Sequence, residues 1–89
     1  MTKEQEDQLH REVHLGGRAN AAYEGYMKDY FARQRKLLFD QFIETKDIDT
    51  ALTIRAAMDA LSAVERSIIS DIDSGRMASI TLKKAKDNE

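Results

Sequence analysis

Glu44-Thr45-Lys46-Asp47-Ile48-Asp49 divides the chain into two helical patterns of nearly equal length, and the fold follows from reading it as a connection. On its N-terminal side the apolar positions after Asn20 are Tyr23, Tyr26, Met27, Tyr30, Phe31, Leu37, Leu38, Phe42 and Ile43. Steps of 3, 4 and 7 place them on one stripe of a helix of roughly 25 residues, with Asn20 as its N-cap. Arg33-Gln34-Arg35-Lys36 interrupts the stripe. On the C-terminal side Ile54, Ala57, Leu61, Val64 and Ile68 take a/d-like positions, and Met58 and Ile72 widen the seam. Asp47 or Asp49 can cap this second helix, and Ser74-Gly75 reads as its stop, with glycine at the C′ position. A polar break this short normally joins antiparallel neighbours.

The expected architecture is therefore all-α: an antiparallel two-helix hairpin within residues 17–75, with helices at about 20–44 and 49–73. With the connection at the tip, facing positions sum to about 93 or 94, given the short helix–helix link. That register sets Phe39 or Leu38 near Ile54, Tyr30 near Val64 and Tyr26 near Ile68. Residues 1–16 form a short preceding helix. Thr2 and Gln5 make a capping-box pattern at its start, Leu9, Val13 and Leu15 give it a thin apolar face, and Gly16-Gly17 stops it near His14. Residues 76–89 read as an extended or disordered tail, since Met77 to Leu82 alternate only weakly and Lys83 to Glu89 are polar.

Composition sets outer limits on function. The chain has 89 residues, no Cys, no Pro and 4 Gly, a helix-forming composition that leaves no disulfide or thiolate metal site. A domain this small gains little from its own core, so association with other chains is the remaining supplement. No apolar run approaches the length needed to span a bilayer, and the N-terminus lacks an apolar leader, which reads as a soluble, non-secreted protein. The formal net charge of -2 argues against a dedicated nucleic-acid binder. Residues 18–46 carry six basic and four acidic side chains and residues 47–73 two basic and six acidic, a difference in sign that weakly favours pairing of the two helices.

The order of features resembles a group of small proteins encoded among tailed-phage structural genes. The stretches that carry the likeness are Gly17-Arg18-Ala19, Tyr26 to Phe42, Thr45-Lys46-Asp47, Ala60-Leu61-Ser62-Ala63-Val64-Glu65 and Asp73-Ser74-Gly75-Arg76-Met77-Ala78, within residues 15–80. The resemblance implies a phage or prophage origin and a part in head or DNA-packaging assembly. It would put the protein in the host cytoplasm or on the virion, and it transfers no functional residue.

Local chemistry is sparse. His10 and His14 share a helix face, but a metal site needs a third strong ligand, and no further His or Cys exists; no metal and no cofactor is expected. No nucleophile stands with a base, and Asp71 and Asp73, two apart on a helix, do not face each other, so an enzyme is not expected. Tyr23, Tyr26 and Tyr30 with Arg33, Arg35 and Lys36 are the candidate interaction residues. They could stack bases and hold phosphates, but rings filling the hairpin seam and cations on a solvated face are the favoured reading, because stacking of that kind needs a sustained basic groove. Arg33 or Lys36 is expected to pair with Asp59. A second apolar line, Phe31, Leu37, Phe39, Ile69 and Leu52, needs cover that a single hairpin does not give, which points to a homo-oligomer such as a four-helix bundle or ring. Three functions are compatible with these features. The first is a protein-interaction module in phage assembly, the second a phage inhibitor that sequesters a host factor or ligand, and the third a weak nucleic-acid accessory protein.

Overall fold

The computed structural model describes residues 1–88 and is helical almost throughout. Helix α1 spans Lys3–Ala22, a π-helical turn spans Tyr23–Met27, α2 spans Lys28–Glu44, and α3 spans Ile48–Asp87. The first three run on without a break, so the molecule is two long helical arms packed against each other and joined by Thr45, Lys46 and Asp47. The result is a rod, 64 × 22 × 15 Å. Positions rising along one arm meet positions falling along the other. Leu9 shares a groove with Met77 and Thr81, Gly16 lies on Gly75, and Tyr23 and Arg35 both reach Glu65.

The helix starts follow from side-chain caps. Thr2 accepts from the Gln5 backbone N–H at 3.1 Å while the Gln5 side chain accepts from the Thr2 N–H at 2.9 Å, the reciprocal pair that satisfies two otherwise unbonded donors. Asp47, in extended conformation, accepts from the Thr50 backbone at 3.1 Å and from its hydroxyl at 2.6 Å, and so opens α3.

The glycines behave differently from their sequence reading. Gly16-Gly17 does not stop α1, Asn20 is interior rather than an N-cap, and Gly75 does not end α3, which continues through Asp87. No glycine has positive φ, so none acts as a left-handed cap. Gly16 and Gly75 instead lie backbone to backbone, and a Cβ on Gly16 would stand 2.7 Å from the Gly75 Cα. The absence of side chains there lets the arms touch, and that contact outweighs the poor intrinsic helix propensity of glycine. The tail is likewise helical rather than extended or disordered. Ala78 is buried and Leu82 and Ala85 half-buried against α1, while Lys84 and Lys86 in the last turn complement the helix dipole. Glu89, the end of that tail, lies outside the described residues.

The seam of α3 is regular. From Ala51 to Gly75 the positions Ala51, Ile54, Met58, Leu61, Glu65, Ile68, Ile72 and Gly75 are buried or half-buried and alternate in steps of 3 and 4, the heptad signature, with Ser62 half-buried beside them and Ala78, Leu82 and Ala85 continuing the seam after a second step of 3. On the other arm Leu9, Val13, Gly16, Asn20, Tyr23 and Met27 alternate likewise, but the next positions are Phe31, Arg35 and Leu38. Three successive steps of 4, from Tyr23 to Arg35, carry one residue more than the repeat allows. The π-helical turn absorbs it, with the Lys28 N–H donating to the Tyr23 carbonyl five residues back. Without that turn α2 would be rotated by about 100°, presenting Tyr30 and Leu37 where Phe31 and Leu38 now sit.

Candidate interaction surface

One polar cluster lies inside the seam. Glu65 occupies a position that the heptad reserves for an apolar residue, and its side chain is only 12% exposed. Arg35 reaches across from α2 to donate to Glu65 Oε1, and the Tyr23 hydroxyl donates to Oε2 at 3.0 Å. The Arg35 hydrogen bond holds the Glu65 carboxyl below its ordinary range, helped by the Tyr23 hydroxyl against the opposing effect of burial. Burial and the Glu65 carboxylate push the Tyr23 phenol up. The cluster matches polar groups that define register in helical pairs more than it adds net stability, because desolvation offsets much of the Coulomb attraction.

The candidate interaction residues are thus divided. Tyr23 and Arg35 turn into the seam, whereas Tyr26, Tyr30, Arg33 and Lys36 stand exposed on the outside of the rod. Tyr26 is 66% exposed, and neither the Tyr26–Ile68 nor the Tyr30–Val64 pairing forms a buried seam, since Val64 is itself exposed. Tyr30 leans edge-on against Phe31, ring centroids 6.0 Å apart. The pairing of Arg33 or Lys36 with Asp59 is not formed among the described residues; the ion pair that crosses between the arms is Arg35–Glu65. Its signal was present in the heptad, where the run 58, 61, 65, 68 forces a glutamate inward and so demands a cation opposite. The π-helical turn, which aims Arg35 at it, is masked in the sequence, because Tyr30 and Leu37 fit an unbroken repeat as well as Phe31 and Leu38 fit the shifted one.

The remaining titratable groups lie on the surface. Glu6 stands 3.6 Å from His10, His14 stands apart, and no group of three His, Cys, Asp or Glu side chains able to hold a metal exists among the described residues. The grooves between the arms are shallow and open. One of them is lined by Leu9, Glu12, Ile69, Asp73, Met77 and Thr81 among others.

What the surface does present is apolar. The buried hydrophobic core is Phe31, Ile72 and Ala78, while Tyr26, Tyr30, Leu37, Phe39, Ile43, Ile48, Leu52, Val64, Met77 and Ile80 are all exposed. Of the second apolar line, Phe31 has turned inward and Leu37, Phe39, Ile69 and Leu52 remain outside. No helix among the described residues is long and apolar enough to cross a membrane. Compared with protein-family models, with characterised proteins and with solved structures, the chain matches none.

Proposed function

We propose that the protein is a non-enzymatic interaction module: an antiparallel helical hairpin that works by binding protein, beginning with its own copies. The observation that carries this reading is the surface. The accessible area is 7030 Å², whereas a compact monomer of this mass exposes about 5,300 Å². The exposed side chains include many large apolar ones, Leu37, Phe39, Ile43 and Leu52 among them, and apolar groups exposed in such number mark an association site. The absence of any nucleophile–base pair in the sequence supports a role in binding rather than catalysis. Arg35 is occupied by Glu65, which weakens the case for a phosphate-holding row beside the tyrosines. The setting we propose, from the resemblance of residues 15–80, is head or DNA-packaging assembly in a phage particle.

Light scattering on a sizing column tests the reading. At micromolar concentration the mass should be a multiple of 10.2 kDa; a monomer with a sharp, high melting transition would refute self-association. Binding to DNA should vanish by about 200 mM salt, because so few free cations release few counterions.

A further inference from the structure

The exposed apolar side chains are unevenly placed along the rod. Tyr26, Tyr30, Leu37, Phe39, Ile43 and Leu52 all lie in the half next to the connection. In that half the seam is more open: Phe31 is buried, but Leu38, Ile54, Met58 and Leu61 are only half-buried, and Phe42 is 38% exposed. In the other half Gly16, Ile72, Gly75 and Ala78 are buried. The arms differ because glycines let α1 close on α3, whereas Phe31, Arg35 and Leu38 hold α2 further from it.

We propose that a second copy of the chain docks on this open half. The two connections point in opposite directions, so that α2 and residues 48–68 of α3 from each copy complete a four-helix bundle. Helix α1 and residues 69–87 then project as a two-helix arm at each end. This inference rests on the self-association proposed above and names its surface.

Two features favour a second copy as the occupant. Arg33, Lys36 and Arg55 share this half with Asp40 and Asp59, and none of the five forms an ion pair within the described chain. A face carrying both signs is complementary to itself across a two-fold axis and poorly suited to a polyanion. The surplus over a compact monomer, about 1,700 Å² for the rod as a whole, exceeds the roughly 800 Å² that a specific interface takes from each partner.

The test uses the absence of cysteine. Thr53 and Met77 are exposed and neither is among the docking side chains named above, so replacing either with a spin-labelled cysteine disturbs neither the packing within one chain nor the proposed contact. Thr53 lies five residues and Met77 nineteen residues from the middle of the 48–68 segment, at 1.5 Å per residue. Labels on Thr53→Cys should therefore sit about 15 Å apart between copies, and labels on Met77→Cys about 60 Å apart. A short distance at Met77 with a long one at Thr53 overturns the proposal. Independently, Leu37→Glu with Leu52→Glu should give a helical monomer, while Met77→Glu with Ile80→Glu keeps the wild-type mass. An oligomer that survives the first pair leaves self-association standing and refutes this surface. A monomeric wild type refutes both.

Discussion

Gly16 and Gly75 show how much one methyl group can decide. A Cβ on Gly75 would stand 2.8 Å from the Gly16 Cα and 3.0 Å from the Glu12 carbonyl, all backbone atoms that can move only by separating the arms. Gly16→Ala or Gly75→Ala should each cost about 1–3 kcal/mol by overpacking. Around Gly25 there is nothing within 4 Å, so Gly25→Ala should stabilise by up to about 1 kcal/mol; urea unfolding of the three variants checks the contrast. Glu65 and Asp47 make stability depend on acid. Both carboxyls are held below their ordinary values, Glu65 first by Arg35 and Asp47 first by the Thr50 hydroxyl. The unfolded chain therefore takes up protons more readily, and the contribution of each group is complete above its ordinary value and lost as pH falls through the lower folded value. The melting temperature should decline below about pH 4.5, and Glu65→Gln should make that decline shallower. At this scale the caps were legible, because Thr2–Gln5 and Asp47–Thr50 are local bonds. The Tyr23–Glu65–Arg35 cluster was not, because it joins residues thirty and forty-two apart.

At the scale of elements, the π-helical turn and the full length of α3 matter most. The turn absorbs one residue beyond the heptad, so deleting Gly25 should let the arm run as unbroken α-helix with Phe31, Arg35 and Leu38 still on the seam. Circular dichroism should show helicity and melting temperature retained or raised. Deleting Ala57 from α3, where no such turn exists, should rotate Ile54 and Ala51 by about 100° off the seam and lower the melting temperature. The end of α3 is held by what it covers. A chain ending at Ser79 would remove half-buried Leu82 and Ala85, and amides between Glu6 and Val13 should then exchange faster, because the first turns of α1 would lose their apolar cover. The apolar periodicity did reveal that α2 and α3 exist and where the connection falls. It misread the two ends, since Gly16-Gly17, Gly75 and a Lys-rich terminus carry stop signals that only packing overrides.

The whole molecule is a rod with a radius of gyration of 18.8 Å, against about 12 Å for a compact chain of this length. So elongated a shape leaves most side chains within reach of solvent, and the three buried hydrophobic residues among those described make a small core. If folding is coupled to association through the open half, the unfolding midpoint must rise with protein concentration. Calorimetry over a hundredfold range should show that rise in the wild type and lose it in the Leu37→Glu, Leu52→Glu variant. The exposure of Leu37, Phe39, Ile69 and Leu52 was legible beforehand, because a single pair of helices has no second face to cover them. The openness of the half next to the connection was not, because it depends on how closely each segment of the first arm approaches α3.

The sequence by itself determined the all-helical class, a connection within residues 44–49, the cap at Thr2, Asp47 or Asp49 as the opening of the second helix, and the apolar surplus, since each follows from local propensity or from the spacing of side chains along one helix. The tertiary structure alone decided that α1 joins α2 through a π-helical turn, that two glycines meet instead of ending helices, and that Glu65 is held by Arg35 and Tyr23. Each of those depends on the distance between the two arms, and that distance is set by the side chains of both together.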